Sequence, residues 1–144
     1  MKNLNNLQEY LSNLAVLNRK LHNIHWNVVG PKFMDVHNFT EGMYNQFFAD
    51  LDEVAELLKT KNQMPLSNMK DYLAHASIEE LEARDFREEE SLKIVLDDLK
   101  SMKSLAANIR NIADEEGDFE TVAMFEDFIS SFSKNIWFLS SMLK

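Results

Sequence analysis

Apolar residues recur along this chain at alternating spacings of three and four, which is the pattern of helices that bury one face. Gly30-Pro31, Pro65 and Gly117 interrupt the pattern and divide the chain into four stretches. No internal repeat, low-complexity segment or strand-like alternation competes with it. The pattern predicts an all-α fold, a four-helix bundle with a short extra helix between the second and third long helices.

The first two long helices are predicted on either side of the glycine-proline pair. We expect the first from Leu4 to Val28 and the second within Phe33 to Asn62. Their apolar stripes are Leu4, Leu7, Leu11, Leu14, Leu21 and Val28, and then Tyr44, Phe47, Phe48, Leu51, Val54, Ala55 and Leu58. Gly42 inside the second helix should cost about 1 kcal/mol relative to alanine, so we expect a close helix contact there.

The later helices are marked by capping signals. Ser67 could cap a short helix that ends at His75. Two pairs have capping-box spacing and are candidate helix starts: Ser77 with Glu80, and Asp85 with Glu88. Gly117 should end the third long helix, and Asp118 should cap the fourth. The stripes of these two helices are Leu92, Val95, Leu99, Met102, Ala106, Ile109 and Ala113, and then Val122, Phe125, Ile129, Phe132, Ile136, Leu139 and Leu143.

The length of 144 residues is that of one domain, and we predict a single domain over residues 1–144. No apolar run approaches the roughly 20 residues of a membrane span. The first ten residues are polar and lack the apolar centre of a signal peptide. We therefore expect a cytoplasmic protein that does not enter a membrane.

Charge and cysteine content narrow the chemistry. The net charge of −9 repels nucleic-acid phosphates, and no basic run offsets it, so DNA binding is not expected. The absence of cysteine excludes disulfides, thiolate metal ligands and cysteine nucleophiles. Any metal must therefore be held by histidine, aspartate and glutamate.

Two pairs of candidate ligands lie on the second helix. His37 and Glu41 are four residues apart, as are Asp52 and Glu56, so each pair shares a helix face. His25 continues the stripe of the first helix and should point inward. Taken singly, each is more often a structural residue: an inward histidine is usually hydrogen-bonded in the core, and an acid beside a stripe is usually solvated. The convergence of five such residues favours a site for iron or manganese, with zinc as an alternative.

The spacing of these pairs determines how a site could form. Glu41 and Asp52 are eleven residues apart, about 16 Å along one helix. One metal ion cannot bridge them. Two copies of the helix, packed antiparallel about a two-fold axis, would bring the His37/Glu41 half of one chain against the Asp52/Glu56 half of the other. This arithmetic suggests a dimer with two equivalent sites.

The remaining conspicuous residues are expected to be structural. Trp26 and Trp137 should be core aromatics, and the eight methionines should fill core gaps. His22 and His75 are interpreted as structural. An acidic cluster at the junction of the last two helices is either a solvated turn or an entrance for ions. Its members are Asp114, Glu115, Glu116, Asp118 and Glu120.

A known family has the same residues in the same order. The chain resembles the Dps-type miniferritins, the DNA-binding proteins from starved cells and their iron-storing relatives. The resemblance lies in the segment His25-Trp26-Asn27-Val28-Val29-Gly30-Pro31, followed by Phe33, His37, Glu41, Tyr44, Asp52 and Glu56. It continues through Tyr72, Ala76-Ser77-Ile78, Asp118, Trp137 and Leu139-Ser140-Ser141. It therefore covers nearly the whole chain.

The resemblance implies a ferritin-like bundle in a dodecameric hollow shell, with ferroxidase centres at the two-fold interfaces. His25, His37 and Glu41 match the ligands of one subunit, and Asp52 and Glu56 match those of its partner. These five residues would bind iron and carry its oxidation, preferentially by hydrogen peroxide or otherwise by oxygen. The ferric product would be stored, which protects against oxidative damage. Trp26 matches an aromatic residue thought to accept stray oxidising equivalents.

The sequence departs from the family in two respects. Many DNA-binding members carry a lysine-rich tail, which is not found here. An arginine commonly follows the residue that matches Glu56, but Leu57 stands here, so a family salt bridge is not expected. The Glu-x-x-His motif of larger ferritins is also absent, which argues against the 24-subunit class. Two alternatives stay open: a nucleoid-associated or structural cage with little ferroxidase activity, and a binding module for another divalent metal.

Overall fold

The computed structural model describes all 144 residues and contains five helices and two very short strands. In chain order they are α1 Leu4–Asn27, β1 Val28–Val29, α2 Phe33–Thr60, α3 Met69–His75, β2 Phe86–Arg87, α4 Glu88–Glu115 and α5 Phe119–Met142. The predicted all-α architecture, with a short helix between the second and third long ones, is confirmed. None of the helices combines the length and the apolar character that crossing a membrane requires.

The long helices pack in two pairs, α1 along α2 and α4 along α5, and α1 also contacts α4. Their apolar stripes meet in one cluster of 27 buried residues, which includes Leu7, Leu14, Leu99 and Phe125. An ion pair of 2.7 Å between Lys20 and Asp98 lies largely buried between α1 and α4. The three-and-four spacing identified most of this core correctly.

Of the caps predicted for α5 and α3, the first forms and the second does not. Asp118 caps α5, because its side chain accepts a hydrogen bond from the Thr121 amide, as predicted. The prediction that Ser67 caps α3 is wrong. Asn68 is the cap, and its Oδ1 accepts from the Asp71 amide at 3.0 Å. The Ser67 hydroxyl instead donates to the Pro65 carbonyl.

The start of α4 also differs from prediction, because neither capping-box pair forms a cap. Arg87 precedes the helix, and its side chain makes no capping bond. The Ser77 amide donates to Asn13 Oδ1 at 2.8 Å and its hydroxyl donates to Glu9, so α1 takes up the groups that a cap would use. The chain then runs to β2, which pairs in parallel with β1 through Val28 and Phe86.

Several apolar side chains lie outside the core, contrary to expectation. Trp26 and Trp137 are 59% and 63% exposed, and Phe48, placed in the stripe of α2, is 70% exposed. Only Met43 and Met102 among the eight methionines are buried. The expected close contact at Gly42 is absent within the subunit, because a side chain there would meet nothing within 4 Å.

The turn between α1 and α2 depends on Gly30, whose φ of +127° is rarely adopted by residues with a side chain. A Cβ there would also overlap the Glu88 carboxylate. We expect Gly30→Ala to lower the free energy of unfolding by about 1–3 kcal/mol, as is typical of strained backbone positions. Chemical denaturation would measure this, with Gly42→Ala as the matched control because its site is helical and open. Equal stability of Gly30→Ala and the wild type would contradict the prediction.

Candidate metal centre

The candidate centre lies where α1 ends and α2 begins. Its position is fixed by the short turn between the two helices, which is tied to α4 from outside. The Glu88 carboxylate accepts a hydrogen bond from the Lys32 amide, at the N-terminus of α2. A carboxylate at this end of a helix is favoured by the helix dipole. The turn and the β1–β2 pair thus set the angle at which the two helices present their histidines.

His25 and His37 hold each other through reciprocal hydrogen bonds. His25 Nδ1 lies 2.7 Å from the His37 carbonyl oxygen, and His37 Nδ1 lies 2.8 Å from the His25 carbonyl oxygen. Because a carbonyl oxygen only accepts, each Nδ1 carries the proton and donates it. The Nε2 lone pair of each ring is therefore free, which is the state of a metal-ligating imidazole.

Glu41 completes a cluster with the two imidazoles. One ligand atom from each of His25, His37 and Glu41 lies within 4.8 Å of the others, and His25 Nε2 is 4.0 Å from a Glu41 carboxylate oxygen. The two rings are stacked, with centroids 3.6 Å apart and planes inclined by 16°. His25 is buried, His37 is half-buried and Glu41 is exposed. The cluster can hold a divalent metal ion and leaves one side of it open.

The surroundings favour the neutral form of His25 by lowering its pKa. Burial lowers the pKa of His25 below its ordinary value, and the neighbouring His37 lowers it further. The hydrogen bond to the His37 carbonyl and the charge of Glu41 act in the opposite direction. A neutral imidazole is the form that binds metals, so these effects favour binding.

Asp52 and Glu56 are not part of this cluster within one chain. Both are exposed on α2, and neither side chain makes a hydrogen bond or ion pair in the subunit. They share a helix face with Glu41, because the steps from Glu41 to Phe48, Asp52 and Glu56 are close to whole helical turns. The exposed Phe48 lies midway between the two sets of acids. The structure brings three of the five predicted ligands together and leaves two on the same outer face.

Sequence reasoning missed some residues beside the centre. Thr40 is fully buried, and its hydroxyl lies 3.3 Å from His25 Nδ1. His22 stacks on Tyr44 with a centroid distance of 3.7 Å, and Tyr44 meets the edge of His25 at 5.2 Å. The sequence could have indicated Thr40, because it is a polar residue about one turn after His37 on the side of the helix that faces the core. His75, interpreted as structural, bonds only to the Asp71 carbonyl.

The acidic cluster between α4 and α5 is partly neutralised inside the subunit. Asp118 pairs with Lys61 at 2.6 Å, and Asp114 lies 3.7 Å from Arg110. Partial burial raises the pKa of Asp118, but the hydrogen bonds from Lys61 and Thr121 and the charge of Lys61 outweigh it and hold that pKa below its ordinary value. The structure therefore assigns Asp118 a capping and pairing role.

Comparisons with known proteins identify the family. A model of the ferritin-like domain matches residues 4–144. A Helicobacter pylori protein named DNA protection during starvation protein is 31% identical over 143 residues, which is 99% of each chain. This chain belongs to the Dps group of ferritin-like proteins.

Solved Dps structures have the same fold. A Dps protein from Bacillus brevis superposes with a TM-score of 0.93 at 29% identity, covering 96% of this chain and 93% of that one. Dps from Vibrio cholerae O1 gives 0.94 at 29% identity, covering 99% and 89%. The latter is described as a member of a broad superfamily of ferritin-like diiron-carboxylate proteins. The ferritin-like fold expected from the resemblance is confirmed.

One departure from the Dps pattern has a structural explanation. Leu57 occupies the position where an arginine is common, and it is buried in the hydrophobic core of the subunit. The side chain therefore stabilises its own bundle and offers no charge to a neighbour. The assignment of His25, His37, Glu41, Asp52 and Glu56 as metal ligands stays a prediction.

The neutral state of His25 gives a pH prediction. Its folded pKa is lowered, so the stabilisation from burying the neutral ring is present above the unfolded pKa of about 6.5 and is lost as pH falls. In metal-free protein, the imidazole proton resonances of His25, assigned through a His25→Gln variant, should titrate below that value. A midpoint at or above the ordinary value would show that burial does not dominate.

Proposed function

We propose that this protein is a ferroxidase of a homo-oligomeric cage, most simply a dodecamer, that binds ferrous iron, oxidises it with hydrogen peroxide and stores the ferric product. His25, His37 and Glu41 of one subunit and Asp52 and Glu56 of its two-fold neighbour would hold the iron. The observation that carries the proposal is the reciprocal hydrogen bonding of His25 and His37, which leaves both Nε2 atoms free beside the Glu41 carboxylate.

The donor set suits the reaction. Each ferrous ion gives up one electron, and peroxide takes two electrons as its O–O bond breaks to hydroxide, so two ferrous ions are consumed per peroxide. Carboxylate oxygens stabilise the harder ferric ion relative to the ferrous one, which favours oxidation. Iron is the substrate here. The protein positions the ion and leaves an open side where peroxide can approach.

The shared site is supported by the outer face of α2. Glu41 on one side of Phe48 has two imidazoles beside it, whereas the side chains of Asp52 and Glu56 on the other side have no partner in the subunit. A two-fold axis near Phe48 would bury this 70% exposed aromatic side chain against its own copy. The same operation would bring each incomplete set of ligands against the complementary set. Trp26 is exposed near the centre, so the same two-fold pairing would cover it or place it at the border of the interface.

The ferroxidase proposal is tested by oxidation of ferrous iron with peroxide under anaerobic conditions. We expect His37→Ala to lower the rate by at least about tenfold, since residues that merely orient a metal ligand often contribute about 10- to 100-fold. His75→Ala is the matched control, because His75 lies on α3 and is exposed. If His37→Ala oxidised iron as fast as the control, the centre would lie elsewhere. If the wild type retained zinc but did not oxidise iron, the alternative of a zinc-binding module would be favoured.

The rival cage function, compaction of DNA, requires an exposed basic region. The 144 residues carry a net charge of −9, so a cage of many copies would repel phosphates strongly. The name of the Helicobacter pylori relative refers to DNA protection. Removing ferrous iron and peroxide would protect DNA without binding it, because the two reagents together generate hydroxyl radicals.

We therefore expect the protein not to retard DNA in a gel at neutral pH and moderate salt. A chelator should be present, since magnesium ions could bridge two negatively charged surfaces. A protein–DNA band that disappears when salt is added would contradict this expectation and favour the nucleoid-associated alternative.

A further inference from the structure

A second pair of rings lies beside the candidate metal centre. His22 of α1 stacks on Tyr44 of α2, with ring centroids 3.7 Å apart and planes inclined by 20°. His22 precedes His25 by about one turn of α1. On α2, Tyr44 is about one turn after Glu41 and one turn before Phe48. The pair therefore lies between the candidate centre and the exposed Phe48.

Asn18 fixes the position of this pair. Its side-chain amide donates to the Tyr44 carbonyl oxygen at 3.0 Å, which ties α1 to α2 at this level. Its backbone carbonyl oxygen lies 2.6 Å from His22 Nδ1, so this nitrogen carries the proton and donates it. The Tyr44 ring also meets His25 edge-on, at 5.2 Å between centroids. The Tyr44 ring is therefore held from two sides.

The hydroxyl of Tyr44 is the free donor of the pair. Tyr44 is half-buried, but its hydroxyl reaches the surface and makes no hydrogen bond within the subunit. His22 Nε2 only accepts in the neutral ring, because the proton is on Nδ1. A carboxylate of a neighbouring chain would therefore find its donor in Tyr44 rather than in His22.

The two-fold axis that the shared centre requires would bring such a carboxylate to this hydroxyl. Tyr44 and Asp52 lie four residues before and after Phe48, about 6 Å to either side of it along α2. A two-fold axis near Phe48 and perpendicular to α2 exchanges these two positions, so each Tyr44 comes opposite Asp52 of the partner subunit. Axes of packed helices lie about 8–10 Å apart, a gap that a tyrosine and an aspartate side chain can span together. The Asp52 side chain has no partner in its own subunit.

We propose that Tyr44 is a positioning residue of the ferroxidase centre, and that its hydroxyl donates a hydrogen bond to one carboxylate oxygen of Asp52 of the partner subunit. The other carboxylate oxygen is left to bind iron, and the hydrogen bond holds it in one orientation. This inference rests on the proposed shared centre and adds to it a residue that touches neither iron nor oxidant. His22 and Asn18 contribute by holding Tyr44.

The role of the hydroxyl is tested with Tyr44→Phe, which removes the hydroxyl and keeps the ring on His22. Anaerobic titration with Co²⁺, followed by its visible absorption bands, measures the affinity of the centre without any oxidation step. We expect Tyr44→Phe to lower this affinity by about tenfold or more, since losing a hydrogen-bond partner of a metal ligand typically costs about 10- to 100-fold. Tyr72→Phe on α3 is the matched control and should bind Co²⁺ as the wild type does. Both variants should assemble, because neither hydroxyl bonds within the subunit.

A double-mutant cycle separates action through Asp52 from a general effect on the centre. Once Asp52→Ala has removed the carboxylate, the Tyr44 hydroxyl has nothing to orient, so Tyr44→Phe should cause no further loss of Co²⁺ affinity. Equal losses with and without the Asp52 carboxylate would overturn the proposal, as would no loss in either background. If the wild type bound no Co²⁺, the proposed centre would fail and this inference with it.

Cages assembled from two kinds of chain test whether the hydrogen bond crosses the interface. One chain lacks Asp52 and Glu56, the other lacks His25 and His37, so a restored site takes its histidines and its Tyr44 hydroxyl from the first chain. Tyr44→Phe in that chain should lower the recovered ferroxidase activity by about tenfold, and in the second chain by much less. Recovery that does not depend on which chain carries Tyr44→Phe would refute the hydrogen bond but not the shared centre. No recovery without Tyr44→Phe would refute the shared centre itself.

Discussion

The reciprocal hydrogen bonds between His25 and His37 are the interaction on which the candidate centre depends. Each imidazole donates to the backbone carbonyl of the other residue, so the end of α1 and the start of α2 position each other's side chains. The same bonds fix the tautomer and leave two Nε2 lone pairs beside Glu41. Gly30 and Glu88 support this geometry from outside, since they shape the turn and tie it to α4.

The helix α2 carries different chemistry on different sides. Its inner stripe builds the core, and its outer face carries Glu41, Phe48, Asp52 and Glu56. The side toward α5 carries the buried Asp50. A straight helix cannot bend to bring its own ligands together, because Glu41 and Asp52 are about 16 Å apart along its axis. If all five predicted ligands serve one reaction, a second chain must supply two of them. The exposed Phe48 between the two sets fits such an interface, since aromatic residues are enriched at interface cores.

The sequence predicted the helices, most of the core and the inward position of His25, because these follow from helical periodicity. Sequence analysis failed where contacts between residues that are distant in the chain determine the position or the partner of a side chain. Ser77 has the spacing of a helix cap, but Asn13 of α1 bonds its amide. Periodicity assigned Phe48 to the subunit's own core, and Trp26 was expected there as a large aromatic residue, although both are exposed. The tautomers of His25 and His37 likewise depend on carbonyls that only the folded turn brings close.

The most direct test of the shared centre is complementation between two defective chains. One variant lacks His25 and His37, the other lacks Asp52 and Glu56, and each alone should assemble but oxidise iron poorly. In co-assembled cages, random pairing makes about half of the two-fold interfaces mixed, and each mixed interface restores one site of two. Ferroxidase activity should therefore return to about a quarter of the wild-type value, whereas cages mixed after separate assembly should stay inactive unless they exchange subunits. Verified mixed interfaces with no activity above the average of the two parents would contradict a site built from two chains.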